Sequence, residues 1–126
     1  MLDAAKSKTT ALDRLKHSGL AYVSFALRRP EHFTVMFDVP ASKSQYPECA
    51  EAGEQAFGAL VGFIQAAQLA GELPPGDMMR RALQAWSLVH GIAKLAVAAR
   101  LPFRSKAEIL RFAEQAIGES LEAVSR

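Results

Sequence analysis

The residues best placed to do chemistry sit in one stretch, "WSLVHGIAKLAVAARLP", residues 86–102. Trp86 and His90 lie one helical turn apart, and Gly91 follows at once. A histidine on an apolar helix has two readings. It contacts a ligand, or it is a core histidine bonded to a neighbour, because a buried polar group needs a partner. Trp86 likewise either stacks on a ligand or fills the core. Gly91 costs a helix interior roughly 1 kcal/mol against alanine, and close approach of another helix is a reason to tolerate that. Tyr22, Phe25, Met36, Phe37, Phe57 and Phe63 suit the wall of an apolar pocket with few polar anchors. They suit an ordinary core as well. Phe25 lies off the main stripe of its helix and is the most informative of them.

The remaining reactive groups form no constellation. His17 and His32 fall on different segments with no partner at ligand spacing, and "PEH" at residues 30–32 is not a metal motif. Cys49 follows a Pro-Glu pair near a helix start, where a thiol pKa can fall, but nothing beside it suggests redox work. No Gly-rich phosphate loop, G-x-S-x-G or carboxylate pair is visible. Neither an enzyme nor a bound metal or cofactor is expected.

Composition sets the class. The chain has 126 residues, half of them hydrophobic, and a net charge of +2. That fits one domain with a real core and argues against disorder. A charge so near neutral gives no electrostatic case for nucleic acid or an anionic membrane. One cysteine allows no internal disulfide, so a reducing cytoplasm is expected. The first residues lack the apolar core of a signal peptide. No apolar run approaches the roughly 18–20 residues that span a bilayer.

Prolines and glycines divide the chain into five helical segments. The first runs from Lys8 or Thr9 to Arg29, with Leu12, Leu15, Gly19, Tyr22, Val23, Ala26 and Leu27 on one face. Pro30 stops it and suits the first turn of the short second segment, "PEHFTVMF". Residues 38–47 read as a loop. Glu48 to Gly71 follows, striped by Ala52, Ala56, Ala59, Leu60, Phe63, Ala67 and Ala70, with Gly71 placed as a C-cap. Asp77 is an N-cap candidate for the fourth segment, which runs to Arg100. Ser105 and Glu108 fit a capping box ahead of the fifth, Lys106 to Val124.

The fourth segment is the unusual one. At about 100° per residue, Gln84, Ser87, His90, Gly91 and Lys94 occupy a third of its girth, and apolar residues take the rest. Such a helix is covered from more than one side. Either its own chain wraps it fully, or a second molecule covers part of it. The last helix also has an alanine-rich apolar face, and two helices from each of two subunits would make a four-helix bundle.

Residues 21–37, "AYVSFALRRPEHFTVMF", and 86–102, with the spacing of "AFGALVGFIQAAQLAGELPPGD" between them, resemble the C-terminal regulatory domain of TetR-family transcription factors. Within that family the subgroup with Trp, His and Gly in its penultimate long helix is the nearest, here Trp86, His90 and Gly91. The resemblance runs from about Leu12 to the end. It implies an all-α, five-helix domain that dimerises through its last two helices as a four-helix bundle. It also implies a largely apolar pocket for a small effector. Tyr22, Phe25, Phe57, Phe63, Trp86 and His90 are then the pocket candidates. Leu95, Ile109, Phe112, Ala116 and Ile117 are the candidates for the homodimer seam. The N-terminal helix-turn-helix of the family is not matched, so DNA would be read only through a headpiece missing from this sequence. Two rivals are a headless module that pairs with a full-length regulator, and a small helical carrier or enzyme.

Overall fold

Thr10 and Asp13 begin the first helix by reciprocal capping. The Thr10 hydroxyl accepts the Asp13 N–H at 3.0 Å, and the Asp13 carboxylate accepts the Thr10 N–H at 3.3 Å. That backbone donor is the main reason the Asp13 carboxyl is held below its ordinary pKa, with the Thr10 hydroxyl next. In a computed structural model of the chain, residues 9–38 and 47–125 are described, with side chains over 9–37 and 54–124. The first eight residues, the stretch 39–46 within the expected loop, and the side chains at Cys49 and Ala52 lie outside that description.

Five α-helices and no strand occur among the described residues. Helix α1 is Ala11–Arg28, starting two or three residues later than the hydrophobic pattern alone suggests, because Thr10 and Asp13 set the cap. Pro30 opens α2, Pro30–Asp38. Helix α3 is Pro47–Leu69. It closes as expected on Gly71, whose φ of +76° is left-handed. The Glu72 and Gly71 N–H groups return to the carbonyls of Ala67 and Gln68, the bonding pattern of a glycine-terminated helix. Asp77 caps α4, Met78–Val97, accepting from the N–H groups of Met79 and Arg80. Ser105 accepts the Glu108 N–H at 3.2 Å and starts α5, Lys106–Ser125.

Helix α4 also ends in a left-handed residue, but this one is Ala99, with φ of +56°. Its N–H bonds the Ala96 carbonyl, and Arg100 N–H bonds that of Leu95 at 2.8 Å. An L-residue there costs about 1–2 kcal/mol. Glycine removes that strain but gives back about 0.4–1 kcal/mol as freedom in the unfolded chain. Ala99→Gly is therefore expected to raise stability by about 0.5–1 kcal/mol, read from the urea midpoint. A lower midpoint would count against the left-handed turn.

The hub is α1, which packs on all four other helices. Leu15 and Val23 of α1 share the main core with Ile64 and Ala67 of α3. Ala82, Val89 and Ile92 of α4 join it, as do Ala113, Ile117 and Leu121 of α5. Gly19 makes this crossing possible. A Cβ there would lie 3.1 Å from Ile117 Cδ1 and 3.2 Å from Val89 Cγ1. The close approach expected at Gly91 is thus found at Gly19, and no described neighbour of Gly91 comes within 4 Å of such a Cβ. A second, smaller core joins Ala26 of α1, Phe33 of α2 and Ala93 of α4.

Helix α4 is not fully wrapped by the described residues of its own chain. It packs on α1, α3 and α5, yet Met79, Leu83 and Leu95 remain about half exposed. On α5, Phe112 is exposed and Ile109 and Ala116 are half-buried. Ile117 departs from the sequence expectation. At 6% exposure it belongs to the chain's own core, against Gly19, and does not face outward with Phe112.

Candidate functional site

Two helix faces make most of one cavity. Ser18, Ala21, Tyr22 and Phe25 recur on α1 at steps of three and four, and Ala56, Ala59, Leu60 and Phe63 do so on α3. Residues so spaced share a face. Gly19 and Phe57 add to these walls, α2 contributes Met36 and Phe37, and α4 contributes Trp86 and Val89. The volume is about 360 Å³, within the range of small-molecule pockets.

The aromatic rings meet around His90. Its ring centroid lies 5.1 Å from that of Phe37, 5.3 Å from Phe33 and 5.4 Å from Trp86. Phe57 meets Trp86 at 5.7 Å. A hydrogen-bonded chain runs through them. Trp86 Nε1–H donates to the Tyr22 hydroxyl at 3.1 Å, and that oxygen lies 2.6 Å from His90 Nδ1. An indole N–H can only donate, so Tyr22 accepts from Trp86. The direction of the Tyr22–His90 bond follows the imidazole tautomer: with the ring hydrogen on Nε2, the phenol proton has His90 Nδ1 as its acceptor. That tautomer gives the phenol proton an acceptor inside the protein and leaves no hydroxyl proton in apolar surroundings.

Burial pushes the Tyr22 phenol up to about 12, only partly offset by the Trp86 donor. The folded-state value lies above the unfolded value near 10. The stability this group contributes is therefore complete below pH 10 and is lost as pH rises toward 12. The chain has two tyrosines. The near-ultraviolet phenolate titration of the wild type minus that of Tyr22→Phe should show one group ionising near pH 12. An ordinary midpoint near 10 would contradict this environment.

Of the six pocket candidates, Tyr22, Phe25, Phe57, Phe63 and Trp86 all line this cavity. His90 does not stand on the wall. It sits behind Tyr22 and reaches the cavity through that hydroxyl. Sequence reasoning passed over Ser18, Leu60 and Val89, although the helical stripes contained the signal. It also passed over Phe33, the largest fully buried side chain. His17 and His32 are exposed. No group of three or more His, Cys, Asp or Glu side chains gathers among the described residues, and no helix among them is long and apolar enough to cross a membrane.

The fold and cavity define an all-α domain whose helices surround an apolar site. Residues 15–119 match the family described as "Tetracyclin repressor-like, C-terminal domain", and the chain belongs to that family. It is a family of regulatory domains, not of enzymes. No curated protein and no solved structure matches the chain.

Proposed function

We propose that this domain binds a small, largely apolar effector in the cavity between α1, α2, α3 and α4, and that it works as a homodimer. The observation that carries the reading is the cavity itself, about 360 Å³ and walled by Tyr22, Phe25, Phe57, Phe63 and Trp86. The homodimer reading is supported by the apolar residues left outward on the last two helices, Leu83, Leu95 and Phe112. In this scheme DNA is read only by an N-terminal helix-turn-helix joined ahead of α1, in the cytoplasm.

The proposed mechanism follows from where α1 sits. It supplies one cavity wall, while its first turn is tied to the α3–α4 connection by Ala11 N–H donating to Glu72 Oε1 at 3.0 Å. A ligand that fits one spacing of α1 and α3 better than another shifts the population between them, by no more than its difference in affinity. That shift is delivered at the start of α1. Trp86 is the sole tryptophan, so its indole N–H resonance reports the cavity directly. Titration with cumene is expected to move that resonance saturably in the wild type and far more weakly in Phe57→Asp. An unmoved Trp86 signal, with no heat of binding, would sink the reading.

A further inference from the structure

The cavity wall is lopsided in its hydrogen bonding. Among its described residues only Ser18, Tyr22 and Trp86 carry polar side-chain N or O atoms, and each has its proton committed inside the protein. Ser18 Oγ–H donates to the Leu15 carbonyl at 2.8 Å. Trp86 Nε1–H donates to Tyr22. With the imidazole hydrogen on Nε2, Tyr22 donates to His90 Nδ1. The wall residues all lie within helices, where backbone N–H groups past the first turn are held by the i−4 carbonyls. What the described wall residues leave toward the cavity is lone pairs: those of the Ser18 oxygen and one on the Tyr22 oxygen, which accepts once from Trp86.

We infer that the cavity selects apolar ligands that carry a hydrogen-bond donor, such as an alcohol or a phenol, over ligands of the same shape whose polar atom can only accept, such as a ketone or an ether. This deepens the effector-site reading and rests on it. An acceptor-only ligand gives up its water and finds no donor among the described wall residues, and a buried polar group left unpaired is the costly case. To satisfy it, Tyr22 would have to turn its proton into the cavity, and His90 would have to move its own hydrogen to Nδ1. The burial that keeps Tyr22 a neutral phenol preserves the donor on which the chain of bonds depends. His90, which touches no ligand in this arrangement, acts as a positioning residue by holding the Tyr22 proton away from the cavity.

Cumene, 1-phenylethanol and acetophenone form a matched test series: neither donor nor acceptor, donor and acceptor, and acceptor only. Their affinities for the wild-type chain would be measured by calorimetry and the Trp86 indole resonance. Each affinity is then normalised to the ligand's own water–cyclohexane partition. The alcohol is expected to exceed the ketone by about ten-fold or more. In His90→Leu, which removes the acceptor of the Tyr22 proton, the ketone should gain until the preference disappears or reverses. Equal normalised affinities for alcohol and ketone in the wild type, with cumene bound, would overturn the selectivity and leave the cavity reading standing. Failure of all three to bind would bring down both. A folded His90→Leu that keeps the wild-type ratio would also overturn the inference. If that variant does not fold, the wild-type series decides alone.

Discussion

Phe33→Ala lowers the stability of this chain by about 3–5 kcal/mol, the usual cost of emptying a fully buried phenylalanine site. Phe33 is 1% exposed and stands at the centre of the smaller core, between Ala26 and Ala93. Its ring also meets Tyr22 edge-on at 5.9 Å and Phe37 at 5.2 Å. Alanine on both facing helices leaves little that can move in to fill the space. Helix α2 has nine residues, too few to hold together without its packing. Losing its anchor therefore also loosens Met36 and Phe37, which form that side of the cavity. A chain of this length has about 6–19 kcal/mol in total at the usual figure per residue, so the loss is a large share. Urea unfolding followed by circular dichroism measures it. Cumene affinity should fall in the same variant. A change below about 1 kcal/mol would show that α2 is not anchored through Phe33.

Much of this architecture is written locally and can be read without coordinates. Asp77, Gly71 and Ser105 mark helix ends because capping satisfies orphan backbone groups within a few residues. The faces of α1 and α3 follow from three- and four-residue spacing, and with them four of the six cavity candidates, Tyr22, Phe25, Phe57 and Phe63. What could not be read is set by which helices meet. Gly19 and Gly91 are both mid-helix glycines, and only the crossing of α1 with α4 and α5 tells them apart. His90 finds its partner Tyr22 at a separation of 68 residues, beyond any local pattern. Ala99 carries no mark of its left-handed backbone, because glycine is the usual signal and is absent there. Phe112 and Ile117 are both apolar on one helix, and a wheel cannot say which faces the chain's own core.

That last distinction decides how the proposed dimer must be tested. On α4 the residues Met79, Leu83, Ser87, Gly91 and Leu95 follow one another at four-residue steps, the row that forms a ridge on a helix. Met79, Leu83 and Leu95 are about half exposed. On α5, Ile109, Phe112 and Ala116 share a line at steps of three and four. Leu95→Glu with Phe112→Glu puts charges on this outer face and disturbs little of the chain's own core. In a two-fold interface each substitution occurs twice, and an uncompensated buried charge costs about 3–5 kcal/mol. Association should weaken by roughly ten-thousand-fold or more. Light scattering is expected to fall from twice the chain mass to the chain's 13.7 kDa, with the helical circular dichroism and cooperative unfolding kept. Ile117→Glu should behave differently. Its carboxylate would lie in the main core beside Gly19 and Val89, so the cooperative transition itself should be lost. Mass alone would confuse the two variants, and the unfolding curve separates them. A wild-type monomer, or a double variant that stays dimeric, would remove the outer faces of α4 and α5 as the seam. A well-folded Ile117→Glu that merely dissociates would return Ile117 to the interface.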